Sequence, residues 1–100
     1  MKHCEYNITS KVWIFPGVAS WHFATIPLKE SEEIKSTFSG LKRGWGSFRV
    51  KVTLGSSSWE TSIFPDKRAG VFALPLKKDV RKKENITYGD TISFVLTIKT

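Results

Sequence analysis

The chain has 100 residues, 40% of them hydrophobic, which suits a single domain spanning residues 1–100 that buries roughly two-thirds of its unfolded surface. Sixteen Lys and Arg against nine Asp and Glu give a formal net charge of +7, so an anionic partner has to be considered. One cysteine excludes an internal disulfide, and no apolar run reaches the length of a membrane-spanning helix. We therefore expect a cytoplasmic protein that does not bind membranes.

The first part of the chain predicts two strands and a helix. Residues 4–16 are rich in β-branched and aromatic types and end at a Pro-Gly turn, and residues 20–26 form a second strand that a proline stops. In residues 28–40 the period changes, because Ile34 and Phe38 lie four apart after three glutamates. The pattern predicts a short amphipathic helix that ends at residue 40.

The middle of the chain predicts a hairpin. Residues 41–45 form a loop, and residues 46–54 alternate between apolar and polar side chains, which is typical of a half-buried strand. Residues 55–57 (Gly-Ser-Ser) supply the turn. The next strand covers residues 58–64 and should stop at Pro65.

The closing segment, residues 70–98, predicts a strand, a basic helix and a last strand. Leu74-Pro75 ends the first strand, and the helix should start directly afterwards, with Leu76 and Val80 stacked one turn apart. Asn85 is a left-handed exit and Gly89-Asp90 a turn. From residue 91 the side chains alternate again.

An internal repeat connects these elements. Ile14-Phe15-Pro16 is echoed by residues 63–65, and residues 26–29 by residues 74–77, at an offset of about 48 or 49 residues. Two copies of strand, strand, helix, strand follow, one over about residues 4–54 and one over about 57–99. We predict a mainly β fold: a small double-split β-barrel of about six strands with two short helices and an internal pseudo-twofold duplication.

Several motifs in this order resemble a bacterial domain-of-unknown-function family, the one numbered nineteen-oh-five. The marks are these: Trp21-His22-Phe23 with Pro27, Gly44-Trp45-Gly46-Ser47 with Arg49-Val50, Trp59 with Ser62 to Pro65, Leu74 to Lys78 with Val80-Arg81, and Gly89-Asp90. The resemblance implies a double-split β-barrel, distantly similar to swapped-hairpin proteins of the AbrB and MazE type. It implies no activity and no catalytic residues.

Catalysis has little support in the sequence. No Gly-x-Ser-x-Gly, P-loop or His-Glu-x-x-His motif is present, and His22 is the one plausible base for any serine nucleophile. On an alternating strand, a partly buried structural histidine is the simpler interpretation. We expect a non-enzymatic module without cofactor or metal.

A small polar or anionic ligand is the first binding hypothesis. Arg49, Ser62 and Lys67, with the edges of Trp21 and Trp45, can form an anion site. The structural alternative is a cross-strand ion pair between Arg49 and Glu60 across the hairpin. Under this hypothesis the protein is a monomer or weak dimer that acts as a binding or accessory module.

Nucleic-acid binding is the alternative function. The helix over residues 77–83 carries Lys77, Lys78, Arg81 and Lys82, and tryptophans interleaved with these cations can stack on bases while the cations contact phosphates. A solvated basic helix face explains the same residues without any partner.

Overall fold

The computed structural model describes residues 4–18, 20–41 and 46–99, and residues 42–45 of the loop predicted over residues 41–45 lie outside them. The elements in chain order are β1 (Glu5–Ile14), β2 (His22–Ile26), α1 (Leu28–Thr37), a 3₁₀ turn (Ser39–Leu41), β3 (Phe48–Leu54), β4 (Ser57–Asp66), β5 (Val71–Pro75), α2 (Lys78–Lys83) and β6 (Thr91–Ile98).

The six strands form a closed barrel in the order β1, β2, β5, β4, β3, β6, and every neighbouring pair is antiparallel. Closure leaves no unpaired sheet edge along the ring, which removes the main route to edge-to-edge aggregation. The predicted mainly β barrel of six strands with two short helices is confirmed.

The ring order is symmetric with respect to the two halves. If β1 is exchanged with β4, β2 with β5 and β3 with β6, the ring has the same set of neighbouring strand pairs as before. The Ile-Phe-Pro repeat, however, does not mark equivalent positions: Ile14 pairs with His22, well before Pro27, whereas Phe64 pairs with Ala73, close to Pro75. The Pro-Leu-Lys repeat is the one that precedes a helix in both halves.

Alternation of side chains builds the core. Along β3 every second residue is buried, and β6 buries Ile92, Phe94, Leu96 and Ile98 as its pattern predicts. A period of two places alternate side chains on opposite faces of a strand, so both strands present one apolar face to the barrel interior. Phe48 and Phe72 meet edge to face inside, with ring centroids 5.5 Å apart.

One predicted strand end is wrong because Pro65 lies within its strand, whereas the strand that was expected to end at Leu74-Pro75 does end there. β4 continues through Pro65 to Asp66, and β5 includes Pro75. β4 pairs with β3 no further than Ile63, and β5 pairs with β4 no further than Ala73. Each proline therefore has a strand partner on one side only. On the other side no ladder hydrogen bond is made, so a missing N–H there costs nothing.

Both helices differ from their predicted limits. α1 ends at Thr37 and is followed by the 3₁₀ turn, and α2 begins at Lys78 because the chain stays extended through Lys77. Asn85 has a φ of 54°, which confirms the left-handed exit. Neither helix among the described residues is long and apolar enough to cross a membrane.

Candidate ligand-binding cleft

A cleft of about 730 Å³ opens on the outside of the barrel, between β2, β4 and the segment that leads into α2. Its walls include Ser20 to Phe23, Trp59 to Thr61, Phe64, and Pro75 to Lys78 with Arg81. The volume lies within the range of small-molecule sites.

The barrel order explains why these segments meet. β5 lies between β2 and β4, so outward side chains of all three strands share one patch of surface. Beyond the last residue of β5, Leu76 N–H donates to His22 O at 2.9 Å and holds the chain against β2 before α2 begins. The cleft floor thus depends on a strand pairing that sequence position alone does not reveal.

Arg81 is fixed by three hydrogen bonds. Nε donates to Leu76 O at 2.9 Å, Nη2 donates to Ser20 O at 3.3 Å, and Nη1 lies 3.5 Å from His22 Nε2. A guanidinium carries five N–H donors, so two remain for a ligand. Among the described residues Arg81 has no carboxylate partner within ion-pair distance.

One tautomer of the His22 ring accounts for its contacts with Ser20 and Arg81. Its Nδ1 lies 3.2 Å from Ser20 O, which can only accept, so Nδ1 carries the hydrogen. Nε2 is then the acceptor that faces Arg81 Nη1. The Ser20 carbonyl oxygen therefore accepts from both the His22 ring and the Arg81 guanidinium, and it orients the two side chains together.

Positive charge dominates the cleft. Lys77 and Lys78 are exposed at its rim. The one carboxylate in the lining, Glu60, already has two cations: Lys99 Nζ at 3.1 Å and Arg49 Nη2 at 4.0 Å. Since Glu60 is paired with cations that lie outside the lining, the cleft lining of three cations and one carboxylate carries a net positive charge.

Aromatic side chains form the apolar part of the wall. Trp21 is 54% exposed and Phe64 43% exposed, which is high for such large apolar groups. Trp59 packs its other side against the core, and Phe23 stacks on Trp13 with ring centroids 4.9 Å apart. Trp59 and Phe23 are therefore held by packed neighbours, while Trp21 and Phe64 are the more exposed rings of the wall.

The residues predicted for a small-ligand site are not brought together in one place. Trp21 lines the cleft, but Lys67 lines a separate cavity of about 300 Å³. Arg49 donates to Ser62 Oγ at 3.3 Å and pairs with Glu60, the predicted cross-strand alternative. Trp45 lies outside the described residues.

Of the residues predicted for nucleic acid, three share the cleft. Lys77, Lys78 and Arg81 line it together with Trp21 and Trp59, whereas Lys82 faces a shallower depression beside residues 85–87. The basic residues and tryptophans considered together in the sequence are thus adjacent in space.

Sequence reasoning missed Phe23, Phe64 and the positioning role of His22. Phe64 occupies an outward position of β4, and its exposure follows from the alternation around buried Ile63. That signal was available in the sequence. The contact between His22 and Arg81 spans 59 residues and had no local signal.

Comparison with known proteins gives one family. Residues 9–96 match the family described as Domain of unknown function (DUF1905). The chain belongs to this family. The match covers all six strands in whole or in part, so the barrel and the cleft lie within it, and DUF1905 membership brings no assigned activity. No curated protein matches the chain.

Proposed function

We propose that this DUF1905 domain is a non-enzymatic binding module, and that its cleft accepts a ligand with a flat apolar body and an anionic group. The observation that carries the proposal is the combination of Arg81, held by three hydrogen bonds with two N–H groups to spare, and an exposed aromatic wall beside it.

The energetics favour an anion at Arg81. Hydrogen bonds to a charged group contribute about 1.5–3 kcal/mol, and a guanidinium whose rotation is already restricted loses little further entropy when it binds. Lys77 and Lys78 add long-range attraction at the rim. Trp21 and Phe64 supply surface against which a flat ring can stack.

Location and assembly form part of the proposal. The lone Cys4 suits a reducing bacterial cytoplasm, and a closed barrel has no strand edge along its ring that would drive strand-to-strand dimerisation. A cytoplasmic monomer or weak dimer follows. Sedimentation velocity over a hundredfold concentration range tests the assembly, and a concentration-independent larger species contradicts it.

A matched ligand pair tests the cleft. We expect 2-naphthoate to quench tryptophan fluorescence and to raise the thermal midpoint, whereas 2-naphthamide, which has the same rings without the charge, binds about 10-fold or more weakly. Trp21→Ala should weaken both ligands, because it removes the shared stacking surface. Equal binding of the acid and the amide contradicts an anion site at Arg81.

Variants of the cations locate the site. Arg81→Gln should lower the affinity for the acid by about 10- to 100-fold and leave the amide unchanged. Lys77→Ala provides a milder loss without touching the Arg81 hydrogen bonds. Lys29→Ala is the matched control, since Lys29 follows the same Pro-Leu pair in the other half and is equally exposed. A loss with Lys29→Ala equal to that with Lys77→Ala would show a nonspecific charge effect.

A further inference from the structure

A second cavity adjoins the cleft. Phe23 and Phe64 line both, so the two cavities are neighbours and share part of their aromatic wall. The second cavity also contains Trp13, Phe15 and Pro65 from the ends of β1 and β4.

The rings on this surface form a row. Trp13 stacks on Phe23 with centroids 4.9 Å apart, Phe23 lies 6.3 Å from Phe15, and Phe15 lies 5.7 Å from Trp21. We call these four residues with Phe64 the aromatic row. Contact between neighbours fixes the rings, while Phe15, Trp21 and Phe64 keep more than a third of their surface exposed.

Both cavities have cations in their lining. Lys77, Lys78 and Arg81 line the first cavity, and Lys67 and Arg68 line the second. Arg68 Nε lies 3.3 Å from Asp66 Oδ1, and among the described residues Lys67 has no ion-pair partner. A ligand that occupies both cavities would therefore meet aromatic rings and at least one cation in each.

We propose that the two adjoining cavities together bind single-stranded nucleic acid, with bases on the aromatic row and phosphates at the two groups of cations. The proposal rests on the proposed function and extends it, because a nucleotide is a flat ring system that carries an anion. Bases offer a stacking face whatever their identity, and a phosphate repeats at every nucleotide.

The lining favours a strand of bases over an acidic peptide helix. The apolar residues that line the two cavities are six aromatics, two prolines, one leucine and one alanine. A helix-binding groove is lined with aliphatic pockets for side chains three and four residues apart, and this surface has almost none. The formal charge of +7 also attracts a polyanion more strongly than a ligand with one charge.

Chain length and salt test the proposal. Fluorescence anisotropy with labelled oligo-dT should show that a hexamer binds at least 10-fold more tightly than thymidine monophosphate. If four cations neutralise phosphates and release the counterions bound there, the hexamer affinity should fall about 50-fold between 50 mM and 200 mM salt. A 12-base-pair duplex should bind more weakly than a 12-nucleotide strand, because paired bases cannot stack on the row.

Two variants test the rings and the cations separately. Phe64→Ala should lower hexamer affinity about 10-fold, and Lys67→Ala should lower it while flattening its salt dependence. Tyr88→Ala is the matched aromatic control, because Tyr88 is 67% exposed and lines neither cavity. Lys29→Ala is the matched cationic control. Far-ultraviolet circular dichroism confirms that each variant is folded.

The outcomes separate this proposal from the one it extends. If 2-naphthoate binds but the hexamer gains nothing over the monophosphate, the strand-binding proposal is overturned and the cleft remains a small-ligand site. Tighter binding of the duplex, or of an acidic proline-rich peptide, also overturns it. If neither naphthoate nor any nucleotide binds, both proposals fail.

Discussion

The two Pro-Leu-Lys segments have the same sequence and different structures. After Pro27 the helix begins at once, and Leu28 is 54% exposed. After Pro75 the chain stays extended for two more residues, and Leu76 is 2% exposed. Identical neighbours in the chain therefore do not decide where these helices start or which leucine is buried.

The difference arises from contacts further along each helix. In α1, Ser31 Oγ donates to Ile26 O at 2.8 Å and accepts from Phe72 N–H at 3.0 Å, which attaches the first turn to β2 and β5. In α2 the corresponding residue is Asp79, which is exposed. There the attachment passes instead through Leu76 N–H and Arg81 to the β2 side of the barrel.

The consequence is that one half covers the barrel and the other leaves a cleft. α1 together with the residue that follows it buries Ile34 and Phe38 completely, whereas α2 is six residues long and buries Val80. The helix after the first Pro-Leu-Lys segment thus packs over the barrel, and the shorter helix after the second borders the cleft. Four residues after each shared lysine stand Glu33 and Arg81, which gives the two helices opposite charge at that position.

Replacing the two leucines gives the largest expected contrast. Leu76→Ala should lower the free energy of unfolding by about 2–4 kcal/mol, because it leaves a cavity among buried neighbours. Leu28→Ala should change it by less than about 0.5 kcal/mol, since Leu28 is largely exposed. Urea denaturation measures both. Equal costs would show that the two segments are packed alike.

Replacing the residue three after each leucine gives the next contrast. Ser31→Ala should cost about 1–3 kcal/mol, because the buried Phe72 N–H loses its acceptor. Asp79→Ala should stay within about 0.5 kcal/mol. Chemical denaturation of both variants, with hydrogen exchange at Phe72, measures the effect. Unchanged protection of the Phe72 amide in Ser31→Ala contradicts the assigned role.

Glu84, which follows α2, attaches this end of the molecule to the β3–β4 turn. Ser57 Oγ donates to its carboxylate at 2.6 Å and lowers the pKa of Glu84 below the ordinary value, with further help from Ser56. A lowered pKa stabilises the fold above the unfolded value, and this stability is lost as the pH falls through the folded value. Glu84→Gln should therefore unfold at a lower temperature than the parent at pH 7, and the difference should shrink in acid.

A substitution at Gly55 tests the same contact between Glu84 and the β3–β4 turn. It has a φ of +59°, and an added Cβ would collide with the Glu84 carboxylate. Gly55→Ala should then disturb the attachment as well as strain the turn. In the double variant with Glu84→Gln, a cost equal to the sum of the two single costs would mean that the contact is not shared.

Tyr6 gives the smallest effect at neutral pH. Burial, with the nearby Glu33 carboxylate, raises the pKa of Tyr6 to about 12, and its hydroxyl donates to Glu33 at 3.3 Å. A raised pKa contributes stability below the ordinary value near 10 that is lost as the pH rises toward 12. Over the pH range from about 10 to about 12, the thermal midpoint of Tyr6→Phe should therefore fall less than that of the parent. Tyr88→Phe, at an exposed tyrosine, should follow the parent.

The strands and their faces were predictable because they depend on local periodicity. The alternation over Phe48 to Leu54 and over Ile92 to Ile98 specified which side chains face inward, and the structure confirms it. Strand ends at prolines were less predictable, because whether Pro65 or Pro75 can remain in a strand depends on which neighbours pair at that point.

The cleft was only partly predictable for the same reason. The residue types suited to it, Trp21 and Arg81 among them, were recognised from composition, but their grouping with Phe64 required β5 to lie between β2 and β4. Arg49 and Lys67, assigned to the same site from the sequence, lie on other parts of the surface.

By itself the sequence determined the number of strands, the inward face of each, the two short helices and the excess of positive charge, since these follow from neighbouring residues and composition. The tertiary structure alone decided the order of strands around the barrel, the burial of Leu76 but not Leu28, and the meeting of His22 with Arg81. Such features depend on contacts between residues far apart in the chain, which local pattern does not encode.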